Sequence, residues 1–404
     1  MYGLLRGIRV VEASAFVAGP SCALYLAQMG AEVIRIDQIG GGPDFNRWPL
    51  SPESGSSLYW EGLNKSKKSI ALDLRRPEGR ELALQIITAP GENAGMLVTN
   101  YPVEGFLAYQ HLASRRPDLI CVRVMGWPDG RPAVDYTVNA AVGVPAMTGP
   151  PEDPRPVNHV LPAWDLLTGA YAAFTLVSAA HARAEDGRGR DIRIALSDVA
   201  IATLGHLGQV AEVVTRGTDR PKVGNALYGA FGRDFHTADG HRLMVVAITP
   251  RQWSGLLAAL DLSARVGALE TKLGVRFDQH EGARFEHRDQ LIPLIADAIQ
   301  RRAAADLIAA FEAHSVCWSR YQTLHEAIAK DPYFSAANPI LSSVAHQSGH
   351  EYLTPGASAN IVSEPREATS PAPRLGRDTD EVLRSVLELS SDQIAGLHDD
   401  GLVA

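Results

Sequence analysis

Apolar positions early in the chain fall into short runs separated by segments with helical spacing. Ile8 to Glu12 reads as a strand, Ser21 to Met29 as a helix after a loop ending in Gly19 and Pro20, and Ala31 to Ile36 as a second strand after a stop at Gly30. The alternation continues with a strand near Ser69 to Leu72, a helix opening at Pro77 and Glu78, and strands at Gly95 to Thr99 and Leu119 to Met125. Strands alternating with helices predict an α/β fold with a mostly parallel sheet covered by helices. Gly40 to Gly42 and Ser51 to Ser57 read as loops. Leu166 to Ala180 is apolar but broken by Thr168, Gly169, Thr175 and Ser178. It is shorter than the ~20 residues a membrane span requires and reads as a core helix.

From about Ile192 the texture changes to a helical stretch, a glycine-bearing segment, and a strand at Arg242 to Ile248 after the Asp239-Gly240 turn. Helices follow through about Ala329, and Asp331-Pro332 opens a tail that regains helical pattern at Asp378 to Leu389 and Ser390 to Leu397. The expected division is a large domain over 1–200, a smaller α+β domain over 225–330 and a C-terminal segment over 331–404.

With 404 residues, 46% of them hydrophobic, the chain can bury a sizeable core. Its net charge of -8 leaves no broad basic surface, so nucleic acid is not an expected partner and any phosphate binding must be local. The start, MYGLLRGIRVVE, lacks a secretory pattern, and Cys22, Cys121 and Cys317 are odd in number and widely spaced. Both features point to the cytoplasm, with the three thiols buried and no membrane partner. His159, His206 and His236 are too scattered for a ligand set, and neither HExxH nor a cysteine pair occurs, so no metal is expected. A GxSxG elbow is also missing.

Five segments carry candidate chemistry. The turn AFVAGPS, Ala15 to Ser21, lacks the three-glycine spacing of a dinucleotide fingerprint. It is either an ordinary strand-to-helix loop or one whose N–H groups hold a phosphate or an adenine edge. Asp37, at a strand end, is either solvated or placed to read a ribose hydroxyl. NKSKK, Asn64 to Lys68, is a solvated face or, with Arg75 and Arg76, a source of charge for the phosphates of a nucleotide tail. GNALYGAFGRDF, with Gly224, Gly229 and Gly232, is a turn-rich hairpin or a flap that keeps water from an intermediate. In PAWDLLTGAYAAF, Asp165 immediately precedes a long apolar helix. Asp is a good N-cap there, and the helix dipole would also hold it ionised, as a nucleophilic carboxylate requires.

Taken in order, these segments resemble the class III CoA-transferases, which include formyl-CoA transferase and α-methylacyl-CoA racemase. The resemblance runs from LRGIRVVEASAFVAGPSCALYLAQMGAEVIRID through NKSKKSIALDLRRPEGRELA, LVTNYP, PDLICVRVMGW, WDLLTGAYAA and GRGRDIRIALSD to APRLGRDTDEVL. More narrowly, RWPL, VDYTVN, MTGP, VNHVLPAWD, GHLG and GNALYGAFGRDF resemble an intramolecular branch of the family. That branch moves CoA between the two carboxyl carbons of a branched unsaturated dicarboxylate.

The resemblance implies a Rossmann-like large domain completed by the C-terminal tail, a smaller middle domain, and an interlocked homodimer acting on an acyl-CoA thioester. No cofactor is implied beyond the substrate's own CoA. Asp165 would attack the thioester to give a mixed anhydride, and the released thiolate would convert it to an aspartyl-CoA thioester. Phe16, Val17 and Ala18 would contact CoA, Asn100 and Tyr101 would lie beside the pantetheine, Arg75 and Arg76 near the diphosphate, and Gly224 to Gly232 would form the mobile glycine loop. Two positions depart from the family pattern. Val134 stands where racemases carry the His that precedes Asp135, which removes an acid/base partner, and Asn139 stands where many transferases have Gln. An intermolecular CoA-transferase acting on two separate acids, a racemase and a non-catalytic CoA-binding protein are the competing expectations.

Overall fold

The computed structural model describes residues 1–404, which divide into two compact units. The first comprises residues 1–142, 159–215 and 332–404, and the second comprises 143–158 and 216–331. Residues 143–158, which the sequence pattern leaves inside the large domain, cluster with the second unit.

The first unit is built on six strands, β1 (Arg9–Ala13), β2 (Glu32–Gln38), β3 (Lys68–Leu72), β4 (Met96–Thr99), β5 (Ile120–Met125) and β6 (Arg190–Ala195). They pair in parallel in the order β3-β2-β1-β4-β5-β6, so the predicted parallel sheet is present. Eight helices accompany it: α1 (Ala18–Gln28), α2 (Leu58–Leu63), α3 (Pro77–Thr88), α4 (Tyr109–Arg115), α5 (Asp135–Ala141), α6 (Ala163–Asp186), α7 (Leu196–His206) and α8 (Gln209–Arg216). Successive strand residues point to opposite faces, so each short apolar run feeds two cores. Val11, Ile34, Ile70, Leu97 and Cys121 join one, with α3; Val10, Val33, Val98, Ile120 and Val122 join the other, with α1 and α6.

α1 begins at Ala18, three residues before the expected start, because Gly19 and Pro20 fit the first turn, where backbone N–H groups need no intrahelical acceptor. α6 buries only one side, including Gly169, Ala172, Leu176 and Ala179, and leaves Tyr171, Phe174 and Val177 exposed. The expected core helix thus joins the core along one side only. Its small residues bring α1 close. A Cβ on Gly169 would lie 2.0 Å from Ser21 Oγ and 2.8 Å from the Ala18 carbonyl oxygen.

The tail closes the sheet's outer edge. Leu72 bridges to Val403, Asp73 N–H donates to the Leu402 carbonyl at 2.9 Å, and Val382, Leu383 and Val386 join the core under α3. The second unit has its own three-stranded antiparallel sheet, formed by Phe231–His236, Arg242–Ala247 and Cys317–Arg320, with a core around Trp253, Phe277 and Phe311. Cys317 is exposed, unlike the expected buried thiol, whereas Cys22 and Cys121 are buried. No helix is long and apolar enough to cross a membrane.

Candidate active site

Connections from β1 and β4 leave in opposite directions along the sheet, which opens a crevice at their C-terminal ends, the position where open parallel sheets bind ligands. A cavity of about 670 Å³ lies there, and Phe16, Val17, Ala18, Asn100, Tyr101 and Asp165 all line it. Six site residues expected from separate stretches of sequence thus share one cavity. Arg75 and Arg76 are not in its lining. They follow β3 on the same edge of the sheet, where Arg75 pairs with Asp73 at 2.9 Å and Arg76 donates to the Asp400 carbonyl at 2.8 Å. The lining instead brings in Arg123, Arg131 and Arg193.

The two crevice loops are clasped together. Ala15 N–H donates to Asn100 Oδ1 at 3.2 Å, Asn100 Nδ2 donates to the Ala15 carbonyl at 3.0 Å, and Thr99 Oγ1 donates to the Ala13 carbonyl at 2.8 Å. Arg123, buried in β5, donates to the carbonyls of Tyr101 and Pro102 at 2.6 and 2.8 Å. Phe16 sits at φ +71°, a left-handed conformation that costs a non-glycine residue about 1–3 kcal/mol and persists only where its surroundings impose it. Here its N–H donates to Asp44 Oδ2 at 3.2 Å, and the ring stands 40% exposed in the cavity wall.

Asp44 belongs to a buried charge network beneath the crevice. Arg35 donates to Asp44 at 2.9 Å, Asp37 at 3.0 Å, Glu12 at 3.1 Å and Asn64 at 3.2 Å. Lys67 donates to Glu12 at 2.7 Å and to the Pro20 carbonyl at 2.9 Å. The Arg35 guanidinium lies 4.6 Å from the Trp60 ring centroid. Asp37 is therefore neither solvated nor turned to a ribose, because its carboxylate is committed to Arg35. Nor is the lysine cluster a solvated face. Lys67 and Lys65 are buried, burial pushing the Lys65 ammonium down to about 8, and Lys68 pairs with Glu32 and Glu381.

Asp165 is the third residue of α6, not the residue before it, and it does not cap its own helix. The helix starts earlier because Pro162, which cannot offer a side-chain acceptor, occupies the N-cap. Asp135, at the start of α5, supplies the acceptor: its Oδ2 takes the Trp164 N–H at 2.6 Å and the Asp165 N–H at 3.1 Å. The Asp165 carboxylate is left to the cavity. Burial and the charge of Asp135 push its pKa up to about 7, and the Arg47 guanidinium opposes the rise. Burial and a like charge thus oppose the ionisation that the helix dipole favours. Attack requires the ionised form, so kcat/KM should rise with pH through an acid limb near 7. A limb below pH 5 in a rate profile would contradict this environment.

Arg47 lies 5.4 Å from the centroids of both the Phe16 and the Tyr59 ring. The Tyr59 hydroxyl is buried without a hydrogen-bond partner. Asn139 accepts from Trp164 Nε1 at 3.1 Å and so steadies the residue beside Asp165. Val134, where a racemase base would stand, is 55% exposed and lines the cavity with an apolar side chain. Gly224, Gly229 and Gly232 belong to the second unit. Gly224 and Gly229 adopt positive φ of 62° and 82°, and Gly232 is the second residue of the unit's first strand, paired with Val246.

Sequence patterns passed over Arg47, Tyr59, Arg123 and the network around Arg35. One signal was present, since Glu12, Arg35 and Arg123 are charges inside otherwise apolar strand runs. Buried charge is retained only where it is paired.

The family model for CoA-transferase family III matches residues 5–379. The 2-methylfumaryl-CoA isomerase of Chloroflexus aurantiacus is 49% identical over 404 residues, spanning 100% of this chain and 98% of the relative. Succinyl-CoA–D-citramalate CoA-transferase of the same organism is 29% identical, covering 97% of this chain and 96% of the relative. Among solved structures, a CAIB/BAIF family protein from Brucella suis superposes with a TM-score of 0.77 over 96% of this chain and 100% of that one, at 23% identity, which establishes likeness of fold.

Proposed function

This chain belongs to CoA-transferase family III, and from that premise we propose that it moves CoA within one molecule, from the C1 to the C4 carboxyl of mesaconate (2-methylfumarate). The full-length 49% identity to a 2-methylfumaryl-CoA isomerase carries the reading. The uncommitted Asp165 carboxylate supplies its chemistry.

In this reading an Asp165 oxygen attacks the C1 thioester carbon, the C–S bond breaks, and a mixed anhydride and CoA thiolate result. The thiolate then attacks Asp165 Cγ, breaking the anhydride C–O bond to leave an aspartyl-CoA thioester and free mesaconate. After the acid turns, its C4 carboxylate attacks Cγ and expels the thiolate. That thiolate finally takes the C4 carbonyl and restores Asp165. Water would hydrolyse either intermediate, so the acid must stay enclosed. Arg47 and the unpartnered Tyr59 hydroxyl are the donors that a second carboxylate would meet near Asp165. The roles of Arg75 and Arg76 at the diphosphate, and of Gly224, Gly229 and Gly232 as a flap, rest on the family resemblance.

The test uses one substrate. Mesaconyl-C1-CoA alone, with no added acid, should yield the C4 thioester, and free mesaconate labelled with carbon-13 should not enter the product. A strict requirement for added acid would replace this reading with intermolecular transfer.

We further infer a homodimer. Tyr171, Phe174 and Val177 of α6, and separately Leu207, Val210 and Val214 on α8 and its approach, are exposed apolar side chains that a second copy would cover. Light scattering should give twice the 43.4 kDa of one chain, and a monomer at micromolar concentration would refute it.

A further inference from the structure

The segment that delivers Asp165 is fastened to α5 at several points, and one of them has no part in the reaction as written above. Tyr136 Oη donates to the Val160 carbonyl at 3.2 Å, Trp164 Nε1 donates to Asn139, and the N–H groups of Trp164 and Asp165 donate to Asp135 Oδ2. The remaining oxygen, Asp135 Oδ1, lies 2.5 Å from His159 Nε2. The imidazole stands between two rings, 5.7 Å from Tyr136 and 6.3 Å from Trp164. The intervening Val160 and Leu161 are 91% and 69% exposed, so their side chains add little packing to hold this stretch in place. The polar contacts and the two ring contacts do it.

Both oxygens of Asp135 are therefore engaged, one by the helix end and one by the imidazole. The side chain is 2% exposed, and without His159 its Oδ1 would lose a donor where water has little access. An Asp135 free to rotate would release the first N–H groups of α6, and Asp165 would be the nearest carboxylate to take them up. That would turn the group needed by the substrate into a helix cap.

We propose that His159 is a positioning residue for this transfer: by hydrogen-bonding Asp135 it fixes the carboxylate that caps α6 and so keeps the Asp165 carboxylate free for the substrate. The inference rests on the reading of Asp165 as nucleophile. Charged and titratable groups acting on Asp165 are Asp135 from α5, Arg47 from the connection after β2, and Tyr59 from α2; Asp135 and Tyr136, both from α5, face His159. Loss of the His159 donor leaves the Asp135 charge less offset beside Asp165. The acid limb of the rate should then move to higher pH.

The experiment follows acyl or CoA label onto the Asp165 peptide in single-turnover reactions of the full-length protein across pH, with thermal unfolding measured alongside. H159F removes the donor and keeps a ring; H159Q keeps an N–H donor of similar reach. H159F should label about 10- to 100-fold more slowly, as expected when a reacting group is misplaced by about an ångström, with its limb shifted upward. H159Q should recover most of the rate. KM for the thioester should change by less than about twofold, since His159 is outside the cavity lining. A folded H159F with wild-type rate and limb, or a loss that H159Q does not recover, would overturn the proposal. Should H159F fail to fold, H159N, whose amide is too short to reach Asp135, takes its place with the same expected loss and the same overturning result. Absence of label on Asp165 in the wild-type protein would remove the nucleophile reading itself; label there, with unchanged rates in the His159 variants, would remove only the positioning role.

Discussion

Asp165→Asn should abolish turnover, by roughly 10⁴-fold or more as for loss of other covalent nucleophiles, while the protein stays folded. Asparagine keeps the size of the side chain and the two backbone N–H groups held by Asp135, so α6 should start where it does now. What it loses is the nucleophilic oxygen. The same substitution should raise stability at alkaline pH. Asp165 has a folded pKa of about 7 against an ordinary value of 3.8, so the folded state holds its proton over that interval while the unfolded chain releases it. The resulting penalty is absent below 3.8, grows as pH rises and is complete above 7. The Asn variant escapes it, and its unfolding temperature should exceed the wild-type value at pH 8 and converge with it near pH 4. Nucleophilic function here opposes stability. Wild-type activity in a folded Asn variant would end the assignment, and a lower unfolding temperature at pH 8 would contradict the described environment.

Arg35→Met should destabilise the first unit by about 3–5 kcal/mol, the usual cost of removing one partner from a buried ion network. Arg35 is 1% exposed and serves Glu12, Asp37 and Asp44, whose side chains are 0%, 3% and 2% exposed. Without it, Lys67 alone remains to oppose three buried carboxylates, and it contacts only Glu12 among them. Methionine fills part of the volume and answers none of the charge. The effect should reach the site as well. Asp44 holds Phe16 in its left-handed conformation, so a loosened Asp44 should let that residue relax and weaken thioester binding even where the variant folds. Urea unfolding and KM for the thioester read the two consequences separately. Stability within 1 kcal/mol of wild type would show that the network is not worth what its burial implies.

The strand and helix alternation was legible because each apolar run is short and the first helix carries its own stop at Gly30. A parallel sheet buried on both faces needs such runs, and few other arrangements would hide them. Asp165 was legible as chemistry only through its company of family blocks, since its local pattern suits a helix cap equally well. The lysine cluster and Asp37 misled for the opposite reason. Charged side chains near loops are usually solvated, and nothing local reveals that Glu12, Arg35 and Lys67, from three separate strands or their approaches, meet in one buried network.

By itself, then, the sequence determined the α/β class and the strands that carry the crevice, and it singled out Asp165 as the candidate carboxylate, because periodicity, helix signals and ordered motifs are properties of contiguous residues. The tertiary structure decided what that carboxylate experiences. Asp135 lies 30 residues before Asp165 and takes over the capping of its helix, His159 engages the other oxygen of Asp135, and Arg47 and Tyr59 approach from another part of the fold. Hydrogen bonding, burial and charge act across space, so whether Asp165 caps a helix or attacks a thioester depends on neighbours that its own stretch of chain does not contain.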